Sequence, residues 1–91
     1  MLILVEIDLS DADVALFETY EDKALALLER YNASLQMRVR SVDQLTETHV
    51  LYFDNRECFE AFLADPSRAA MKTQWEACKA ISKVSEVTEI G

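Results

Sequence analysis

Four segments of the chain alternate apolar and polar residues with the period of two that is typical of a β-strand. In the second of them, Leu35, Met37 and Val39 fall on one side, with Arg38 and Arg40 on the other. The third carries large side chains on both sides, which is typical of a strand in the middle of a sheet. The pattern predicts strands over residues 2–8, 34–42, 48–54 and 83–90.

The segment between the first two strands has the periodicity of an amphipathic helix. Ser10 stands three residues before Asp13, the spacing of a capping box, which predicts the helix start. Asn32 tolerates the left-handed conformation and predicts the helix end. The apolar stripe of this helix consists of Phe17, Tyr20, Ala24, Leu27, Leu28 and Tyr31.

A second helical region is predicted between the third and fourth strands. Asp54 or Asn55 caps its start, and Asp65 with Pro66 restarts it, because proline at the first helical position has no N–H to lose. The residues that continue its apolar stripe are Phe59, Phe62, Leu63, Met71, Trp75 and Cys78.

The predicted order is βαββαβ in a chain of 91 residues, which has room for one core. This order predicts a single ferredoxin-like α+β domain over residues 1–91, with two helices on one face of a four-stranded antiparallel sheet. The other face is then uncovered. Soluble monomers rarely expose a large apolar patch, so we expect a homodimer in which two sheets pack face to face and bury about 1,600 Å² or more.

The uncovered face is expected to carry Leu2 and Leu4 of the first strand. The third strand contributes either Leu51 with Phe53 or Val50 with Tyr52, because the alternation alone leaves the two faces of that strand open. The polar residues expected on the same face are Glu6, Gln36, Arg38, Arg40 and either His49 or Tyr52. A cleft between the two sheets is therefore expected.

The net charge disfavours some classes of binding partner, and the two cysteines indicate the redox state. Nine basic against seventeen acidic residues give a net charge of −8, which disfavours binding to nucleic acid or to anionic membranes. An N-terminus without a basic start or a long apolar run favours a cytoplasmic protein. Cys58 and Cys78 are too far apart for a Cys-x-x-Cys motif and are expected to be reduced.

Several short motifs lie along the chain: Tyr20-Glu21, Arg30-Tyr31 followed by Leu35 and Arg38, Glu47 with His49, Leu51 and Phe53, and the run from Ala61 to Pro66. Together they resemble the dimeric α+β-barrel superfamily, and most of all the proteins of domain of unknown function 1330. The resemblance implies a homodimer with a cavity between helices and sheet or between the two sheets. It implies no single reaction, since the superfamily includes cofactor-free monooxygenases, lactone isomerases and haem enzymes.

His49 is the single histidine and the natural general base at neutral pH, although a packed structural role is the alternative. Arg38 and Arg40 can clamp an anionic ligand, or pair with acidic residues across the sheet or the dimer interface. Arg68, near the helix start at Pro66, is a weaker anion contact, and Tyr52 is a further candidate for ligand binding. No metal site and no cofactor are predicted, because one histidine is too few ligands and no Gly-rich phosphate loop is present.

Two functions remain open from these residues. The first is a small homodimeric protein of unknown activity that binds a small organic ligand. The alternative is a cofactor-independent monooxygenase or isomerase acting on a small activated carbonyl or phenolic compound. In that enzyme His49 would remove a proton while Arg38 or Arg40 steadies the enolate.

Overall fold

Four strands and two helical regions follow one another in the predicted order. The computed structural model describes residues 1–91 and confirms the ferredoxin-like α+β fold. The elements are β1 (Leu2–Asp8), α1 (Val14–Ala26), a 3-10 helix (Leu27–Tyr31), β2 (Ala33–Arg40), β3 (Thr46–Phe53), α2 (Arg56–Leu63), α3 (Pro66–Ala70), α4 (Lys72–Cys78) and β4 (Ile81–Val87).

The strands form one antiparallel sheet in the order β2-β3-β1-β4. Leu2 lies opposite Tyr52 and Leu4 opposite Val50, so these four side chains share the face that no helix covers. Of the two alternatives left open by the sequence, Val50 with Tyr52 is therefore the correct one. Leu51 and Phe53 point to the helices and are buried.

A β-bulge at Gln36 changes which face of the sheet the later side chains of β2 point to. Leu35 lies opposite Leu51, but Met37 then lies opposite Val50, which is on the other side of the sheet. The extra residue reverses the alternation. Arg38 and Arg40 thus lie on the helix side, so the prediction that placed them on the uncovered face is wrong.

The start of α1 differs from the predicted capping box. Asp13 is the N-cap, and its Oδ1 accepts from the backbone N–H of Leu16 at 3.1 Å. Ser10 instead donates through its hydroxyl to Oδ1 of Asp8 at 2.6 Å. The predicted end is confirmed, because Asn32 terminates the 3-10 helix in the left-handed conformation at φ 52°.

Asparagine and aspartate also begin the next helices. Asn55 caps α2 by accepting from the backbone N–H of Cys58 at 2.9 Å. Asp65 caps α3 ahead of Pro66 and accepts from the backbone N–H of Ser67 at 2.6 Å. The predicted continuous helix after Pro66 is interrupted at buried Met71, which separates α3 from α4.

The core between sheet and helices has two parts. One surrounds Ile3 and Phe53, and the other surrounds Ile7, Phe17 and Cys78. Both cysteines are unpaired, as expected. None of the helices has the length and hydrophobicity needed to cross a bilayer.

Candidate functional site

A cavity of about 180 Å³ lies between the helices and the helix side of the sheet. Its lining includes the exposed side chains of Leu63 and Val84, so it reaches the surface. Eleven of its fifteen lining residues are hydrophobic. The polar or ionisable side chains in its wall are Tyr20, Glu21, His49, Arg68, Trp75 and Ser82.

Glu21 is carried into the cavity wall by α1. It lies four residues after Phe17 and three before Ala24, on the stripe of the helix that packs against the sheet. Only 8% of the residue is exposed. The pKa of Glu21 is raised to about 7, mainly because burial disfavours the ionised form. The positive charge of Arg38 lowers this pKa, whereas the negative charge of Glu47 raises it further.

A buried charge cluster adjoins the cavity and is centred on Glu47 of β3, which is 2% exposed. Its Oε2 accepts from Nε of Arg38 at 3.0 Å, and its Oε1 accepts from the Arg40 guanidinium at 2.7 and 3.0 Å. Burial raises the pKa of Glu47, but hydrogen bonds from His49 and Arg40 and the charge of Arg38 outweigh it. The net pKa therefore lies below the usual range, and Glu47 is ionised at neutral pH.

His49 joins this cluster to the cavity. It is 2% exposed, and its Nε2 lies 2.6 Å from Oε2 of Glu47. Burial lowers the pKa of His49 and is only partly offset by Glu47, so the imidazole is neutral at pH 7. An ionised carboxylate only accepts hydrogen bonds, so Nε2 carries the proton and Nδ1 keeps its lone pair.

The two arginines proposed as a ligand clamp do not line the cavity. Besides Glu47, Arg38 contacts Asp22 at 3.7 Å and Arg40 contacts Glu18 at 3.1 Å. The contacts of Arg38 and Arg40 therefore match the other interpretation of the sequence, in which the two arginines pair with acidic residues. Tyr52 is also outside the cavity, on the uncovered face of the sheet and 38% exposed.

Arg68 of α3 reaches the cavity from the other side. Its guanidinium lies over the ring of Phe62 at 4.8 Å, and its Nη1 donates to the carbonyl of Leu63 at 3.2 Å. Its Nε is enclosed and has no hydrogen-bond partner. No group of three or more His, Cys, Asp or Glu side chains could hold a metal ion.

The interpretation of the sequence did not single out Glu21 as a site residue. The signal was its position, since residues 17, 21, 24 and 28 are spaced by four, three and four and form one buried stripe. A charged residue on such a stripe is rarely buried without a reason. The apolar neighbours Tyr20 and Ala24 obscured this signal.

No protein-family model matches this chain, and no curated protein sequence does. The chain is similar in structure to SnoaB, a cofactor-independent oxygenase from Streptomyces nogalater, with a TM-score of 0.71 and 15% identity, covering 98% of this chain and 93% of SnoaB. A proposed antibiotic biosynthesis monooxygenase from Bacteroides thetaiotaomicron gives a TM-score of 0.76 at 11% identity, covering 99% and 89% of the two chains. Rv0793 from Mycobacterium tuberculosis gives 0.70 at 12% identity, covering 98% and 96%.

Identities this low establish a shared fold and leave activity open. The finer resemblance to domain of unknown function 1330 stays a prediction. The chain thus has the ferredoxin-like α+β fold of the antibiotic biosynthesis monooxygenase-like proteins.

Proposed function

We propose that this protein is an enzyme that removes a proton from a small, weakly acidic organic compound bound between the helices and the sheet. The observation that carries the proposal is a neutral histidine, oriented by an ionised carboxylate, in the wall of a mostly apolar cavity. The substrate class is a small activated carbonyl or phenolic compound. The reaction class is cofactor-independent oxygenation or isomerisation.

His49 is the proton acceptor in this mechanism, and Glu47 is its positioning residue. The hydrogen bond to Glu47 holds the ring in one tautomer and stabilises the imidazolium that forms when Nδ1 takes a proton. Arg38 and Arg40 hold Glu47 in place and keep it ionised. Their role is therefore to support the base, in place of the direct enolate contact expected from the sequence.

The apolar wall supports the next step. Carbanions and enolates formed away from water are not reprotonated by solvent, and they persist long enough to react. In an oxygenase the deprotonated substrate transfers two electrons to dioxygen and forms a carbon–oxygen bond with it. The peroxide that results takes the proton back from His49, its O–O bond breaks with loss of water, and a carbonyl group is left on the substrate. In an isomerase the proton returns from His49 to a different carbon. The oxygenase class agrees with SnoaB, which is a cofactor-independent oxygenase.

A substrate panel tests this proposal. Single-ring phenols, hydroquinones and cyclic ketones are incubated with the protein, and oxygen consumption and deuterium incorporation from heavy water are followed. His49→Ala is expected to abolish any turnover that the wild-type protein shows. Thr48→Ala, on the opposite face of the same strand, is the matched control and is expected to retain turnover. Full turnover in a folded His49→Ala variant would refute the assignment.

We also propose that the protein is a homodimer formed through the uncovered face of the sheet. The β-bulge directs Met37 and Val39 to this face, where 53% and 49% of their surfaces are exposed in the single chain. Together with Leu2, Leu4 and Val50 they make an apolar patch that a second sheet can cover. Sedimentation tests this: Val39→Lys should dissociate the dimer, and a stable wild-type monomer at micromolar concentration would contradict it.

A further inference from the structure

Two polar groups in the cavity wall lack partners. The carboxyl of Glu21 is influenced by burial and by the charges around it, but by no hydrogen bond. The Nε of Arg68 is enclosed and unpaired. One group accepts hydrogen bonds, the other donates one, and both lie in the wall of the same cavity.

This arrangement is unfavourable for Arg68, because an enclosed donor without a partner loses its hydrogen bond to water and gains no other. The rest of the Arg68 guanidinium is held by Phe62 and by the carbonyl of Leu63, so its Nε cannot easily turn away. Glu21 lies within α1, between residues that pack in the core. A ligand with complementary groups would satisfy both.

The size of the cavity limits that ligand. An apolar protein cavity of about 150 Å³ is large enough to hold benzene. The cavity here measures about 180 Å³ and includes Leu25, Phe59, Phe62 and Trp75 in its wall. Space and surroundings both match one ring with one or two polar substituents.

We propose that Glu21 and Arg68 are the specificity-determining pair for a single-ring compound that carries a hydroxyl group and a second oxygen, as an enolised cyclic diketone does. The hydroxyl donates to a carboxyl oxygen of Glu21, and the second oxygen accepts from the Nε–H of Arg68. The ring fills the apolar part of the cavity. This inference rests on the proposed function in placing the ligand beside His49, and it adds the substrate class and the residues that select it.

Calorimetric titration with two probes tests the pair. Cyclohexane-1,3-dione has the required hydroxyl and second oxygen in its neutral enol form, and cyclohexanone has the same ring with one oxygen. Because this enol is a vinylogous carboxylic acid and ionises below neutral pH, the titrations are made in acidic buffer. The wild-type protein is expected to bind the dione at least about tenfold more tightly, since one well-placed hydrogen bond to a charged group contributes that much. Equal affinity for the two probes, or binding of neither, would overturn the inference without any variant.

Variants of Glu21 and Arg68 test whether these two residues cause the preference for the dione over cyclohexanone. Glu21→Leu and Arg68→Met should each reduce it to within about threefold, because each leaves one oxygen unpaired. Glu60→Leu and Arg56→Met change exposed residues outside the cavity and should retain it. If Glu21→Leu does not fold, Glu21→Gln replaces it, and a smaller loss of preference is expected. Retained preference in the folded cavity variants would overturn the inference.

The His49→Ala variant separates this inference from the proposed function. It should still prefer the dione, because His49 takes no part in the pair. Loss of turnover in His49→Ala together with unchanged preference in Glu21→Leu would overturn only the recognition pair. Normal turnover in His49→Ala together with lost preference in Glu21→Leu would overturn only the proposed base.

Discussion

Replacing Glu21 by glutamine should stabilise the protein at alkaline pH. The carboxyl is buried in a mostly apolar wall, with Arg38 and Arg68 attracting its charge and Glu47 and Asp22 repelling it. The balance favours the protonated form. Glutamine has nearly the same shape and is never ionised, so it avoids the burial of a charge while keeping the packing of α1.

The magnitude follows from the pKa. That of Glu21 rises from 4.5 to about 7 in the folded protein, a difference of about 2.5 pH units. Each pH unit corresponds to about 1.4 kcal/mol, so ionisation of Glu21 lowers the free energy of unfolding by about 3 kcal/mol. Because the folded chain holds this proton and the unfolded chain loses it first, the loss develops between pH 4.5 and about 7 and is complete above that.

Denaturation with urea at pH 4.5 and pH 8 measures this effect. Glu21→Gln and the wild-type protein should have similar free energies of unfolding at pH 4.5, and the variant should be more stable by about 3 kcal/mol at pH 8. Glu60→Gln, on the exposed side of α2, is the control and should match the wild type at both pH values. A variant that is equal to or less stable than the wild type at pH 8 would show that Glu21 is ionised and well compensated.

Three further predictions concern other parts of the site and its support. Glu47→Ala should destabilise the fold by about 3 kcal/mol, because two half-buried guanidinium groups lose their buried partner and keep only the more exposed Asp22 and Glu18. The contribution of Glu47 is present above pH 4.5 and disappears as acidification passes its lower folded-state pKa, so the variant should approach the wild type in acid denaturation curves. Asp65→Ala should lower the free energy of unfolding by about 2 kcal/mol, because Asp65 caps α3 and also accepts hydrogen bonds from Tyr31 and Arg30. Urea titration measures this, and a change below about 0.5 kcal/mol would contradict it. The single tryptophan, Trp75, lines the cavity, so cyclohexane-1,3-dione should change its fluorescence with the midpoint found by calorimetry; unchanged emission at saturation would place the probe elsewhere.

The fold was accessible from the sequence because its signals are local. Asn55 as a helix cap, Asp65 with Pro66 as a helix start and Asn32 as a helix end follow from the preferences of single residues. The start of α1 was misplaced because the backbone N–H and the hydroxyl of Ser10 both donate to Asp8, so Ser10 and Asp13 do not form the capping box.

The site was harder to predict from the sequence because it depends on the pairing register of the strands. The bulge at Gln36 leaves no mark in the alternation of β2, so Arg38 and Arg40 were expected on the wrong face. His49 was found from its chemistry alone, since it is the one imidazole in the chain. Whether it faces helices or the uncovered side follows from the pairing of β1 with β3, which no single strand determines.

The bulge in β2 lets one strand serve two surfaces that a plain alternation would mix. Because Gln36 is the extra residue of the bulge, Met37 and Val39 point away from the helices, while Arg38 and Arg40 point towards Glu47. A strand that kept Gln36 but paired regularly from Leu35 onwards would exchange the two pairs, so that apolar side chains would meet the buried carboxylate and two positive charges would lie on the outer surface. Deletion of Gln36 would instead leave Met37 opposite Val50 in an unbroken ladder, so the proposed base and the proposed contact between subunits should both survive that deletion.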